Sequence, residues 1–303
     1  MSKLCLGTVQ FGMKYGINNQ SGQPSEEACF DMLDIALEKG INVLDTARAY
    51  GTAEIVIGNY LEYRHCHHKV EIISKLRPNI IDKDETDVYS VVRRELEDSL
   101  KRLHVSCLKG YLFHTPEYVY NRKNVEALFR LKDEGLVQNI GVSIYNMEEG
   151  FEAIRRNMDY VQLPYSILDQ RGMQSDFISQ AKKAGMTVFT RSAFLQGLFM
   201  MDLDKIPGYL NHAKPYLSYF RYLIDQYKRG SIELLLQFIK GTVDADYLVF
   251  GVDNEKQLLE DIRAFREDKL IEESVLNQIK NYYCQVDESI IFPSLWSNGK
   301  RAE

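Results

Sequence analysis

Short apolar runs alternate with amphipathic helical segments along most of the chain. The runs lie at 41–44, 70–74, 108–113, 139–142, 160–163, 186–189, 247–250 and, as an eighth candidate, 262–265. They are apolar throughout rather than alternating, which is typical of strands buried on both faces of a parallel sheet. A first helical pattern at 25–39 precedes these runs, opening at Pro24 and Ser25 and closing at Gly40, and helical patterns follow most of the runs. The pattern predicts a parallel α/β fold.

Two folds use such repeats, the (β/α)₈ barrel and the doubly wound open sheet. Up to eight strand–helix units fit a barrel of about 250 residues. An open sheet would carry a glycine-rich fingerprint after its first strand. The segment Leu44-Asp45-Thr46-Ala47-Arg48 contains no glycine, so we predict a (β/α)₈ TIM barrel that forms a single domain over 1–303. The stretch 196–239 is too long for a simple connection and predicts a rim loop with extra helices.

Composition excludes several classes of protein. The 37 Lys and Arg residues against 43 Asp and Glu give a net charge of −6, which disfavours a general nucleic-acid binder. No apolar stretch approaches the roughly 18 residues of a membrane span, and the first residues do not resemble a secretory signal. The 5 cysteines are scattered and odd in number, as in a cytoplasmic protein with reduced thiols. The His- and Cys-containing run 65–68 lacks zinc-ligand spacing, so we predict no metal site.

Four chemically useful side chains follow the predicted strands. Asp45 and Tyr50 come after the run 41–44, Lys75 after 70–74 and His114 after 108–113. In a barrel the carboxyl ends of all strands meet on one face, where catalytic residues stand. Tyrosine is a weak acid with a pKa of about 10. A nearby ammonium favours its phenolate, and a histidine can bind the substrate oxygen. The set suits protonation of a carbonyl oxygen while a nicotinamide cofactor supplies hydride.

These residues resemble the aldo-keto reductase family. The resemblance covers essentially the whole chain, through Leu6-Gly7-Thr8, Phe11-Gly12, Asp45-Thr46-Ala47, Tyr50-Gly51, Ser74-Lys75, Leu112-Phe113-His114, Gly141-Val142-Ser143 and Gln162-Leu163-Pro164-Tyr165-Ser166. It implies a (β/α)₈ barrel with an N-terminal β-hairpin, and metal-free NAD(P)-linked reduction of an aldehyde or ketone. Tyr50 would be the general acid, Lys75 would lower its pKa, Asp45 would pair with Lys75, and His114 would orient the carbonyl.

The resemblance also implies a cofactor site. Its residues would be Gly7, Thr8, Asp45, Ser143, Gln162, Arg191, Ser192, Gly197, Gly251, Val252, Asp253, Gln257, Glu260 and Asp261. Two positions depart from the family pattern. Ile144 stands where many members have Asn, and Arg191 where many have the Tyr that stacks on the nicotinamide. A guanidinium can also stack, but it places a charge beside a ring that is cationic when oxidised.

The cofactor is NADP(H) or NAD(H). Family habit favours NADPH, whose 2′-phosphate needs cationic partners. Lys256 is the nearby cation, but Asp253 and Glu255 flank it, so NADH is also expected to fit.

The substrate is predicted only as a small carbonyl compound. The loop 14–23 carries Tyr15 and two asparagines, which suit a hydroxyl-rich ligand, so a sugar or sugar-derived carbonyl is one candidate. The tyrosines of 209–227 either pack a helix onto the barrel or form an aromatic wall for such a ring. Two other functions stay open: a nucleotide-sensing or partner-binding protein on the same fold, and a non-redox isomerase or epimerase. The oligomeric state also stays open.

Overall fold

The computed structural model describes residues 2–267 and 271–296. Within these ranges, eight parallel strands close into a barrel in sequence order. The strands are β1 (Lys3–Gly7), β2 (Val43–Asp45), β3 (Glu71–Leu76), β4 (Gly110–Phe113), β5 (Ile140–Ser143), β6 (Tyr160–Pro164), β7 (Thr187–Arg191) and β8 (Tyr247–Gly251). Strand β1 pairs with β2 on one side and with β8 on the other, which closes the barrel. The predicted (β/α)₈ fold is therefore confirmed.

Helices lie between the strands and after the last of them. In the described ranges they are α1 (Val9–Gly12), α2 (Glu26–Glu38), α3 (Ala53–Arg64), α4 (Val88–Leu103), α5 (Arg122–Asp133), α6 (Met147–Arg155), α7 (Arg171–Gln174), α8 (Phe177–Lys183), α9 (Lys214–Tyr227), α10 (Ser231–Thr242), α11 (Glu255–Arg266), α12 (Glu273–Tyr282) and α13 (Glu288–Ile291). Short 3-10 turns occur at His67–Lys69, Pro116–Tyr120, Leu195–Met200, Leu203–Lys205, Gly208–Ala213 and Pro293–Leu295. None of the helices in this part of the chain is long and apolar enough to cross a membrane.

One predicted strand is wrong. The run 262–265 lies inside α11, where Leu258, Ile262 and Phe265 are buried at helical spacing. The missing barrel strand is β1, at the start of the chain. Since β1 pairs only with parallel neighbours, the N-terminal β-hairpin that the resemblance implied is not formed by the described residues.

The core has two parts. A small cluster fills the inside of the barrel, with Cys5, Val43, Ile73, Leu112, Tyr160, Phe189 and Val249 all buried. A larger cluster packs the outer faces of the strands against the helices. The filled interior means that a ligand can enter only at an end of the barrel, above this cluster.

The stretch 196–239 contains the extra helices that its length predicted. Tyr216, Tyr219 and Tyr227 of α9 contact α12, whereas Tyr222 is exposed. The Tyr219 and Tyr282 rings stack with centroids 3.8 Å apart, and the Tyr283 hydroxyl donates to the Tyr216 carbonyl at 2.8 Å. Helix packing, one of the two alternatives for this segment, accounts for these side chains.

Candidate active site

A cavity of about 540 Å³ opens at the carboxyl ends of the strands, within the usual size range of small-molecule sites. Its described lining includes Gly7, Thr8, Gln10, Tyr15, Asn19, Asp45, Tyr50, His114, Ser143, Tyr145, Gln162, Arg191, Ser192, Gly197, Gly251, Asp253, Gln257, Asp261, Pro293 and Ser294. We call the part around Tyr50, His114 and Arg191 the Tyr50 end. The part around Asp253, Gln257 and Asp261 is the β8 end.

Two glycines hold the Tyr50 turn in place. A Cβ atom on Gly12 would lie 1.7 Å from the Tyr50 carbonyl oxygen, so the turn packs directly on the Gly12 backbone. Gly51 has a φ of +54° and sits against the Gly12 carbonyl, in the left-handed region that favours glycine. Larger residues at either position would displace the turn, which explains why glycines accompany the tyrosine.

A buried ion pair lies beside Tyr50. The Lys75 ammonium donates to both Asp45 carboxylate oxygens, at 2.8 and 2.7 Å, and to the Thr46 carbonyl at 2.9 Å. It also lies 3.4 Å from the Tyr50 hydroxyl oxygen. Gln162 Nε2 donates to Asp45 Oδ1 at 2.7 Å. Lys75 is fully buried and Asp45 nearly so, so the pair is shielded from solvent.

The surroundings keep both Tyr50 and His114 neutral. Burial, reinforced by the Asp45 carboxylate, raises the pKa of Tyr50 well above its ordinary value, and the Arg191 guanidinium only partly opposes this. This net direction is opposite to the expected lowering by Lys75, because desolvation disfavours the phenolate. Burial, with Lys75 and Arg191, lowers the pKa of His114 to about 3. The His114 ring stands perpendicular to that of Tyr50, with centroids 5.8 Å apart, and its buried Nδ1 has no hydrogen-bond partner.

Arg191 ends strand β7 in the cavity wall. Its guanidinium donates to the Ile144 carbonyl at 3.1 Å and to the Ser192 hydroxyl at 3.2 Å. It also lies over the Tyr145 ring, 4.8 Å from the centroid, a typical cation–π distance. These contacts hold the guanidinium plane half-buried at the Tyr50 end.

The β8 end is acidic. Asp253 accepts a hydrogen bond from Asn19 Nδ2 at 3.1 Å and one from Gln257 Nε2 at 3.4 Å. Burial raises the pKa of Asp253. Burial, with a smaller effect of Glu260, raises the pKa of Asp261 to about 8. Of the described residues that line this end, none is a Lys or Arg.

The structure brings together most of the residues predicted from the sequence. Asp45, Tyr50 and His114 line the cavity, and Lys75 lies directly beneath them. Of the predicted cofactor residues, Val252 and Glu260 are outside the lining: Val252 is buried in the core and Glu260 is exposed. The other twelve line the cavity: Gly7, Thr8, Asp45, Ser143, Gln162, Arg191, Ser192, Gly197, Gly251, Asp253, Gln257 and Asp261.

Tyr145 and Gln10 are among the lining residues that the sequence reasoning missed. Tyr145 follows strand β5 by two residues, so its place after a strand end was an available signal. Gln10 lies in the first turn after β1, a strand that was itself missed. Its buried Oε1 has no partner, and a Cβ atom on Gly251 would lie 2.6 Å from that oxygen. Gly251 therefore leaves room for Gln10 in the cavity wall.

Comparisons with known proteins agree on one family. A model of the Aldo/keto reductase family matches residues 3–283. The chain is 27% identical over 228 residues to an NADH-specific methylglyoxal reductase of Escherichia coli, with 69% of each chain covered. It is also 27% identical to Aldo-keto reductase YhdN of Bacillus subtilis, covering 85% of this chain and 83% of that one.

A solved structure has the same fold. The holo form of an aldo-keto reductase from Bacillus halodurans superposes with a TM-score of 0.76, covers 95% of both chains and is 23% identical.

Proposed function

Because the chain belongs to the aldo/keto reductase family, we propose that it is an NADH-dependent reductase of an aldehyde or ketone in which Tyr50 is the proton donor. The observation that carries this proposal is the contact between Tyr50 and the buried Lys75–Asp45 pair at the floor of the cavity, with His114 beside it.

The chain's own groups provide the acid half of the reaction. When bound, the nicotinamide cofactor supplies hydride to the carbonyl carbon. The Tyr50 hydroxyl keeps its proton at neutral pH because burial disfavours the phenolate. As the carbonyl oxygen gains negative charge, it takes that proton, and the Lys75 ammonium 3.4 Å away stabilises the phenolate that remains. Neutral His114 has one ring N–H, which can donate to the same oxygen.

The cavity residues fit a nicotinamide dinucleotide. Ser143 and Gln162 place a hydroxyl and an amide beside Asp45, where a carboxamide needs donors and acceptors. The buried Gln10 Oε1 has no protein partner and is available to a ligand donor. The loop after β7 contributes Ser192 and Gly197 to the cavity lining.

Charge at the β8 end favours NADH over NADPH. Asp253 and Asp261 can accept hydrogen bonds from ribose hydroxyls. A 2′-phosphate at the same place would meet the Asp253 carboxylate and the largely protonated Asp261 instead of the cationic partners it needs. Lys256 is exposed and lies outside the described lining. The NADH-specific relative adds support for this preference.

The test combines turnover with cofactor binding. Methylglyoxal, the substrate in the name of one relative, is a suitable first carbonyl. We expect Tyr50→Phe to lower kcat about 10²–10⁴-fold, since it removes the general acid, while the Kd for NADH stays within about 3-fold of the wild-type value. Tyr15→Phe is the matched control, because Tyr15 also lines the cavity and its pKa is raised to about 12 by burial.

Each alternative function has its own result. A large loss in Tyr15→Phe and none in Tyr50→Phe would move the acid role to Tyr15. Tight NADH binding with no oxidation by any carbonyl in a broad aldehyde, ketone and sugar screen would favour the nucleotide-sensing protein. Product formed without net NADH consumption would favour the isomerase.

A further inference from the structure

Arg191 carries a charge that no carboxylate of the described residues balances. Among residues 2–267 and 271–296, Arg191 forms no ion pair, whereas Lys75 pairs with Asp45 and Arg171 with Asp169. The partners of Arg191 are a carbonyl and a hydroxyl oxygen, both neutral. A half-buried cation without a counter-ion is costly unless a ligand supplies the negative charge.

The Tyr50 end of the cavity therefore has a net charge of about +1. The charges of Asp45 and Lys75 cancel, and Tyr50 and His114 are neutral at pH 7. Arg191 is the remaining charged group in the described lining there, since the other carboxylates that line the cavity, Asp253 and Asp261, belong to the β8 end. The charge of Arg191 acts to lower the pKa values of Tyr50, His114 and Tyr15. A carbonyl bound at Tyr50 and His114 would therefore also be within the influence of this charge.

The guanidinium is also held in a suitable orientation. It lies over the Tyr145 ring, 4.8 Å from the centroid, and two of the five N–H groups of a guanidinium are used by Ile144 and Ser192. The remaining N–H groups can meet a ligand. A planar guanidinium binds carboxylate and phosphate with paired hydrogen bonds, which a lysine ammonium cannot reproduce.

We propose that Arg191 is a specificity-determining residue that selects carbonyl substrates with an anionic group, a carboxylate or a phosphate, close to the reacting carbon. This inference rests on the proposed reductase function and narrows its substrate class. A 2-oxo acid is the simplest example, with its carboxylate at Arg191 and its carbonyl oxygen at Tyr50 and His114.

Matched substrate pairs test the inference. Glyoxylate and methylglyoxal are both small aldehydes, but only glyoxylate carries a carboxylate next to the aldehyde carbon. Glyceraldehyde 3-phosphate and glyceraldehyde form the phosphate pair. We expect the wild type to prefer the anionic member of at least one pair in kcat/KM, and the pair concerned distinguishes carboxylate from phosphate recognition. No preference in either pair would overturn the inference.

The variants are Arg191→Gln, which removes the charge, and Arg191→Lys, which keeps it without the planar fork. We expect Arg191→Gln to lower kcat/KM for the anionic substrate roughly 10- to 100-fold, the effect of losing a charged hydrogen-bonding partner. The neutral partner substrate should change less than about 3-fold, and Arg191→Lys should be intermediate. Arg122→Gln, at an exposed ion pair on α5, controls for the change in net charge.

A binding measurement tests this inference independently of turnover, and so independently of the proposed function. Oxamate, an unreactive analogue of a 2-oxo acid, and its neutral amide oxamide are titrated into the NADH complex and followed by cofactor fluorescence. Oxamate should bind at least 10-fold more tightly than oxamide in the wild type and lose that advantage in Arg191→Gln, even if no carbonyl is turned over. Equal losses for all substrates, matched by weaker NADH or NAD⁺ binding, would assign Arg191 to the cofactor and overturn the inference.

Discussion

A buried aspartate lies at each end of the cavity, and the two differ in their partners. Asp45, at the Tyr50 end, accepts hydrogen bonds from Lys75 and Gln162. Asp261, at the β8 end, is equally buried but has no such cation, and its pKa rises to about 8. A paired carboxylate keeps its charge in a dry site, whereas an unpaired one takes up a proton. The Asp45–Lys75 ion pair thus lies where proton transfer is proposed. Asp261, which can be protonated, lies where ribose hydroxyls would bind.

The largest expected effect comes from removing the Lys75 ammonium at the Tyr50 end. Each end would then hold a buried aspartate without a cationic partner. Lys75→Met leaves Asp45 buried without its partner, which costs about 3–5 kcal/mol of unfolding free energy. Turnover should fall about 100-fold or more, since Tyr50 loses the charge that stabilises its phenolate. Urea unfolding and steady-state kinetics measure the two effects separately.

The control is the double variant Asp45→Asn with Lys75→Met. It removes both charges, so it should regain much of the lost stability while turnover stays low. If the single and double variants unfold at the same urea concentration, the pairing of Asp45 with Lys75 is not what stabilises this end.

Shifting the cofactor preference toward NADPH by a substitution at the β8 end should have a smaller effect on kcat/KM. Asp253→Ser removes one carboxylate that a 2′-phosphate would meet, so we expect the NADPH/NADH ratio of kcat/KM to rise about 10-fold. Glu255→Gln is the matched control: this glutamate is exposed and lies outside the described lining, so the ratio should change by less than about 2-fold. An unchanged ratio in Asp253→Ser would mean that the 2′ position of the cofactor lies elsewhere.

The sequence predicted the Tyr50 end better than the β8 end, for a physical reason. Asp45 and Lys75 lie at the carboxyl ends of β2 and β3, Tyr50 and His114 follow β2 and β4 within five residues, and a barrel brings all strand ends to one face. The contact of Asn19 with Asp253 joins residues 234 positions apart, and no local pattern encodes it. The exposed position of Glu260 likewise depends on how α11 packs.

Burial explains the remaining differences from the predictions. The sequence places a cation near Tyr50, but the direction of the Tyr50 pKa shift is set by desolvation, which appears only once the fold is known. The eighth strand was misassigned because α11 and a buried strand both contain apolar residues close together. Short runs of this kind do not separate the two structures.

The last expected effect concerns Asp261 alone and is seen in stability, not in turnover. Its folded pKa, about 8, lies above the value of about 3.9 for an unfolded chain. Between these values the folded state holds a proton that the unfolded state releases, so the contribution of Asp261 to stability falls as pH rises from about 4 to about 8 and is constant above that. Asp261→Asn has no such titration. Its Tm should exceed that of the wild type by an amount that grows over this window, to about 2–4 °C at pH 8 for each kcal/mol gained.

Glu260→Gln, on the exposed face of α11, should show a much smaller and flatter difference in differential scanning calorimetry. A lower Tm for Asp261→Asn at pH 8 would mean that Asp261 is ionised and stabilised there, and the contrast between the two ends would not hold.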